Sequence, residues 1–257
     1  MSDFFSVEHP IRFAHRGGRA LWPENTMYSF TKAVEDLGYH YLELDVRLSA
    51  DRVPVIFHDS TLDRTTDGTG AVADRPLAEL KELDAAHNFH REEEYPLRGT
   101  GVSMPTLDEV YRALPEVRIN IDLKVDGAEW AVAEVIRAND AEHRSLLGSF
   151  SGRRISRFRR ITGGAVAVSA GPVRAVQMYL ASRIGMAPRL SVQAYQVTEQ
   201  YTGVSIDRKL VGAVHRAGAQ IHVWTVNEAE DMRRLLGLGV DGIMTDRPDI
   251  LNEVIDG

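Results

Sequence analysis

The chain has 257 residues, 44% of them hydrophobic and 26% charged, which suits one α/β barrel with a large core and excludes extended disorder. A net charge of −7 argues against nucleic acid as a partner, and the absence of cysteine excludes a disulfide scaffold, a thiolate zinc site and a cysteine nucleophile. Residues 1–10 carry no basic and apolar leader, no run approaches the roughly 18 apolar residues of a spanning helix, and no amphipathic anchor stands out, so a cytoplasmic location is expected.

Ile11–His15 reads as the first strand. A helix follows, capped by Asn25 or Thr26, with Met27, Phe30, Val34 and Leu37 at helical spacing and Gly38 as its stop. A second strand covers 39–46. The next β-rich run, 53–58, starts too soon after it for a crossover helix, so the two read as a hairpin turning at 49–52. Residues 59–105 lose the strand–helix rhythm and are rich in glycine and proline; they read as one insertion near the mouth of the fold.

Beyond the insertion, strands are expected at 117–123, 146–150, 165–168, 190–194, 220–226 and Gly242–Thr245. Helices at Glu129–Ala138, 153–161, 173–184, 207–217 and 228–236 fill the gaps. Apart from 53–58, eight strands alternate with helices. The expected architecture is a single (β/α)8 TIM-type barrel domain over 1–257, with an open doubly wound sheet as the alternative.

Glu43 and Asp45 are two apart on a strand, so they share a face. Facing inward, two such carboxylates need a cation between them or a raised pKa on one; facing outward, they are a solvated edge pair. A turn centred on 50–51 would set position 58 opposite 43 and bring His58 to the same site. His15 and Arg16 stand at the C-terminal end of the first strand, where barrels carry their active sites. Arg16 offers a planar fork for phosphate, and Gly17 and Gly18 allow close backbone approach; an incidental turn histidine is the plainer reading.

These pieces also occur in a specific order. His15-Arg16-Gly17, Pro23-Glu24-Asn25-Thr26, Glu43-Leu44-Asp45-Val46, Phe57-His58-Asp59 and Leu62-Asp63-Arg64-Thr65-Thr66 are followed by Met104-Pro105-Thr106-Leu107-Asp108-Glu109 and Ile121-Asp122-Leu123-Lys124. Near the end come Val223-Trp224-Thr225 and Gly242-Ile243-Met244-Thr245-Asp246-Arg247-Pro248. The collinear set resembles the glycerophosphodiester phosphodiesterase family over nearly the whole chain, except between about 150 and 215. The resemblance implies a TIM barrel with an insertion after the second strand. It implies a divalent cation on Glu43, Asp45 and Asp122, with His15 and His58 as the general acid–base pair. It places Arg16 and Lys124 near the phosphate and makes Trp224 an apolar wall. Relatives usually carry glutamate at the position of Asp122, a methylene longer. Oxygen ligands alone favour Mg²⁺ or Ca²⁺, with Mn²⁺ possible, over zinc.

The expected substrate is a small phosphodiester, hydrolysed to an alcohol and glycerol 3-phosphate. Two alternatives keep the barrel. One is lysophospholipid hydrolysis, for which Met178, Tyr179, Leu180 and Met186 could line an acyl groove, although they suit helix core equally. The other is an inactive binding barrel, against which the joint presence of His15, His58, Glu43 and Asp45 argues. Arg153, Arg154, Arg157, Arg159 and Arg160 read as the solvated face of a helix whose apolar stripe is Ile155, Phe158 and Ile161, with an anionic partner as the alternative. His87 and His90 could mimic a metal pair but lie in the insertion, where a metal site is not the expected reading.

Overall fold

The computed structural model describes residues 3–198 and 206–257; Met1 and Ser2, at the start of the stretch read for a leader, lie outside them. After a single 3-10 turn at Asp3–Phe5, strand β1 (Ile11–His15) leads to helix α1 (Met27–Glu35) and strand β2 (Tyr41–Leu48). The short strand β3 (Pro54–Ile56) opens the insertion, which contains helix α2 (Leu77–Lys81). Helix α3 (Leu107–Ala113) returns the chain to β4 (Arg118–Leu123). Next come α4 (Glu129–Ala138), β5 (Ser145–Gly148), α5 (Gly152–Ile161), β6 (Ala167–Val168), α6 (Pro172–Arg183) and β7 (Ala194–Val197). The chain ends with α7 (Arg208–Arg216), β8 (Gln220–Val223), α8 (Ala229–Leu238), β9 (Gly242–Thr245) and α9 (Pro248–Asp256).

Eight of these strands run parallel in the order β6-β5-β4-β2-β1-β9-β8-β7, and an isolated parallel bridge between Ser169 and Ala194 brings the two ends together. The result is a nearly closed TIM-type barrel. β3 stands outside this path, antiparallel to the free upper end of β2.

Strand alternation divides the molecule into two cores. On β2, Leu42, Leu44 and Val46 pack outward against the helices. Tyr41 points inward and joins Phe4, Phe5, Ile11, Phe13, Leu146 and Met244 to fill the barrel's lower interior. Glu43 and Asp45 continue that inward row and are buried nearer the C-terminal end. On β4, Ile119, Ile121 and Leu123 face out, which sends Asn120 and Asp122 inward. The interior is therefore apolar at one end and ionic at the other. A small separate core of Val55, Phe57, Leu62, Val72, Leu80 and Met104 holds the insertion together.

Several expectations need correction. Val46 pairs with Ile56 and Leu48 with Pro54, one residue off the predicted register, so extending the ladder would set Leu44, not Glu43, against His58. The cause is the wider turn, in which Ser49 closes onto Val53 and Arg52 adopts φ +66°. The seventh strand begins at Ala194, where the predicted one ended. Strand β6 shrinks to two residues. Of the two expected caps for α1, Thr26 serves, in a reciprocal capping box with Ser29. Helix α3 was read only as a motif; Thr106 and Glu109 start it with a second capping box.

One residue of the lower interior is expected to make the fold acid-sensitive. His222 is fully buried, tilted against Phe13 at 5.0 Å and bonded through Nε2 to Gln220 Oε1 at 3.0 Å, while Nδ1 has no partner. Burial holds its pKa at about 3, against an ordinary 6.5. The unfolded chain therefore takes up this proton first as pH falls below 6.5, and stability drops until the folded pKa is reached. The loss is on the order of 4 kcal/mol across that window. Urea unfolding of His222→Phe is expected to show a flatter decline between pH 7 and pH 4 than the parent; parallel declines would remove His222 as a cause.

Candidate active site

The turn after β1 explains the glycines. Arg16 lies at φ +52°, and its amide donates to the Glu43 carbonyl at 2.9 Å and lies 3.2 Å from Glu43 Oε2. Gly17 follows at φ +83°, where a Cβ would come within 2.4 Å of Ser29 Oγ on α1. A side chain there would be strained by its backbone and blocked by the helix. The tight turn thus seats His15 and Arg16 directly over β2.

Around them the ionic end of the barrel is densely connected. His15 Nδ1 lies 2.6 Å from Asp246 Oδ1, and its Nε2 lies 3.7 Å from Glu43 Oε2. Asp246 is held from three other directions: Arg19 at 2.9 Å, and Asn227 through both its amide nitrogen and its carbonyl oxygen. Burial would raise the Asp246 carboxyl, but the His15 hydrogen bond and charge, with Arg19 and Asn227, bring it down to about 2. It is a carboxylate at any working pH and fixes His15 with Nδ1–H as donor, leaving Nε2 free.

His58 is fixed in the same way. Its Nδ1 lies 2.5 Å from Asp59 Oδ1, and Asp59 is bound in turn by Arg64. Arg64 also grips Glu24 at 2.7 and 2.8 Å, and Glu24 accepts from Arg16 Nη1 at 3.0 Å. The insertion therefore reaches the site through one chain of charges. Burial lowers the His58 pKa; the Asp45 carboxylate pulls the other way without restoring it, and Arg16 and Lys124 add to the lowering. The imidazole is neutral at neutral pH.

Asp45 and Asp122 are register partners on β2 and β4, as are Glu43 and Asn120. Asp45 is buried and surrounded: Arg16 Nε at 3.1 Å, Asn25 Nδ2 at 2.8 Å and Lys124 Nζ at 2.9 Å. Burial opposes its charge, but Arg16 and Lys124 prevail and hold the carboxyl far below its ordinary value. Lys124 Nζ also reaches Asp122 Oδ2 at 2.6 Å. Glu43 lacks such cover: burial and the Asp45 charge push its pKa up to about 7 against His15 and Arg16. Burial, joined by Asp45, raises Asp122 as well, and its Oδ1 is buried without a hydrogen-bond partner.

With Lys124 between Asp45 and Asp122, no three acidic or imidazole groups converge on one point among the described residues. The donor chemistry nonetheless fits a hard cation. It comprises three inward carboxylates, two with pKa values raised by burial and by the neighbouring Asp45 charge, and one orphaned carboxylate oxygen.

His15, Arg16, Glu43, Asp45, His58, Asp122 and Lys124 all meet at this end of the barrel. Trp224 follows directly on β8, half-buried and edge-on to the exposed Phe150 at 5.6 Å, with Lys124 Nζ 5.8 Å from the same Phe150 ring. Sequence reasoning missed Asp246 and Asn25 as site residues. Asp246 carried a usable signal, lying just past the end of the last strand. In the sequence Asn25 stands only as one of two candidate caps for α1. In the structure its φ of +58° turns its amide onto Asp45, donating to Oδ2 and accepting from the Asp45 amide at 3.3 Å.

A TIM barrel with two carboxylate-backed imidazoles and paired cations at its mouth defines a phosphoric diester hydrolase, and comparison with known proteins agrees. The glycerophosphoryl diester phosphodiesterase family model matches residues 15–250. The chain belongs to this family and is a glycerophosphodiester phosphodiesterase. It is 38% identical over 252 residues to the probable glycerophosphodiester phosphodiesterase 2 of Mycobacterium tuberculosis, covering 95% of this chain and 90% of that one. It is 34% identical over 249 residues to the glycerophosphodiester phosphodiesterase of Caldanaerobacter subterraneus, covering 94% and 96%. Among solved structures, an Oleispira antarctica phosphodiesterase in complex with the product sn-glycerol-3-phosphate is 28% identical, with a TM-score of 0.78 and coverage of 97% and 98%.

Proposed function

We propose that the enzyme hydrolyses small glycerophosphodiesters to an alcohol and glycerol 3-phosphate, with His15 and His58 as its acid–base pair. The observation that carries this reading is the matched fixing of the two imidazoles: each has Nδ1 on an aspartate, Asp246 or Asp59. Each therefore keeps Nε2 for proton transfer, one taking the proton of the attacking hydroxyl while the other gives one to the leaving alkoxide. The lowered pKa of His58 suits it to accept a proton.

Glu43, Asp45 and Asp122 would hold the divalent cation, of the class of Mg²⁺, Ca²⁺ or Mn²⁺. Bound there, it neutralises phosphodiester charge and polarises the phosphoryl group. Arg16 and Lys124 add fixed positive charge toward the phosphoryl oxygens. Lys124 is the countercharge that Asp45 and Asp122 share; were they to hold a cation, its ammonium would be left to pair with the substrate anion. Trp224, with Phe150, forms an apolar wall beside the leaving alcohol.

The acyl-groove alternative loses support from the packing. Met178 is fully buried in the helix layer and Tyr179 packs onto the same core, while Leu180 and Met186 stand exposed. Met178 and Leu180 thus differ sharply in burial, which fits a helix packed on one side better than a shared acyl groove. We expect kcat/KM to be higher for glycerophosphocholine and glycerophosphoethanolamine than for a lysolipid. A marked preference for the lysolipid would favour the alternative.

A further inference from the structure

One flank of the barrel is built unlike the rest. From His143 to Thr198 the sequence holds nine arginines and no aspartate or glutamate, in a chain of net charge −7. Some of these arginines are spoken for. Arg144 donates to backbone carbonyls, Arg153 and Arg154 bind Asp126, Arg157 lies 3.8 Å from Glu129, and Arg183 pairs with Asp207 at 2.7 Å. Arg159, Arg160, Arg174 and Arg189 are exposed, and their side chains make no hydrogen bond or ion pair among the described residues. The first three line a groove of about 400 Å³ between α5 and α6, with Ile155 and Val168 at its floor.

Beside this groove, α6 presents an apolar row to solvent. Val173, Val176, Leu180 and Ile184 are 71%, 42%, 60% and 74% exposed, at spacings of three and four that put them on one helix face. Met186, 57% exposed, extends the row. Of the eight large hydrophobic residues exposed among the described residues, five lie between 173 and 186. The helix needs none of them for its own packing, because Met178 and Ser182 are buried on the other face and Ala175 and Tyr179 pack on the core. Such a concentration calls for a partner.

We propose that the α5–α6 flank is a docking surface for an anionic lipid bilayer. The aliphatic row enters the boundary between head groups and acyl chains, and the exposed Arg159, Arg160 and Arg174 of the adjoining groove, with Arg189, meet lipid phosphates. Apolar face and flanking cations together are the requirements of interfacial binding. The flank's local positive charge orients an otherwise acidic protein toward such a surface. Two other partners suit it less well. A second copy meeting this flank with its own would bring like arginines together across the contact. Nucleic acid would gain nothing from an aliphatic row that cannot stack on bases. The proposal does not depend on the reading of the active site, because none of these residues belongs to it.

The test is co-sedimentation of the full chain with vesicles of phosphatidylcholine alone and of phosphatidylcholine mixed with phosphatidylglycerol. Binding is expected to the mixed vesicles only, and to fall with added salt. Each arginine near the surface contributes about fivefold in partitioning, so Arg159→Ser combined with Arg160→Ser should weaken binding by about 25-fold. Leu180→Asp combined with Ile184→Asp should abolish it. Both variants should keep the parent's turnover of a soluble diester, which certifies their fold. No binding to mixed vesicles, equal binding to neutral ones, or indifference to both variants would overturn the proposal. So would a dimer that Leu180→Asp dissociates, or tighter binding of this flank to an RNA oligonucleotide than to the vesicles.

Discussion

His15→Ala is expected to lower kcat on a glycerophosphodiester by about 10²–10⁴-fold, the usual contribution of one positioned proton-transfer group. His58→Ala should do the same. Neither change should unfold the protein. Removing His15 leaves Asp246 with Arg19 and both groups of Asn227, and removing His58 leaves Asp59 on Arg64. Steady-state kinetics with thermal unfolding on the same samples checks both halves of the expectation. A folded His58→Ala enzyme with near-parental kcat would reduce His58 to a structural tie between the barrel and its insertion.

Removing divalent cations should have an effect at least as large. Glu43 and Asp122 are carboxyl groups raised in pKa by burial, and Asp122 Oδ1 has no hydrogen bond. Of the fixed cations, Arg16 pairs with Asp45 and Glu24, and Lys124 is shared between Asp45 and Asp122. Chelator-treated protein should fall to background turnover and recover when Mg²⁺, Ca²⁺ or Mn²⁺ is added. Asp122→Asn keeps the size and removes the charge, so it should raise the metal concentration needed for half-maximal activity, with excess metal partly restoring turnover. Asp122→Glu, which keeps the charge on a side chain one methylene longer, should be tolerated. Full activity in thoroughly stripped protein would contradict the cation's role. An Asp122→Asn enzyme with unchanged metal affinity would remove Asp122 from the ligand set.

The parts of this site legible in the sequence are those that strand alternation carries. Glu43 and Asp45 fall on one face because β2 is regular, and Asp122 and Lys124 follow from the same rule on β4. What alternation does not carry was misread. The hairpin register depended on a turn whose φ +66° residue is an arginine, with no glycine to mark it. Asn25 resembled a cap because its neighbour is one, and only its left-handed backbone turns its amide onto Asp45. Asp246 and His15 are far apart in the chain and meet because β9 and β1 are adjacent in the closed sheet. The exposed row on α6 was hidden for another reason. That helix is apolar on two opposite faces, so it lacks the one-sided contrast that marks an amphipathic anchor in a sequence.

The central claim is that this barrel cleaves the bond between the phosphoryl group and the alcohol and leaves the phosphate on glycerol. Phosphorus NMR of glycerophosphocholine incubated with the purified protein and Mg²⁺ tests it most directly. The account predicts that the diester signal gives way to that of glycerol 3-phosphate, and that it does not do so with His15→Ala over the same interval. A diester left intact under every divalent cation, or one converted to phosphocholine and glycerol, would contradict it.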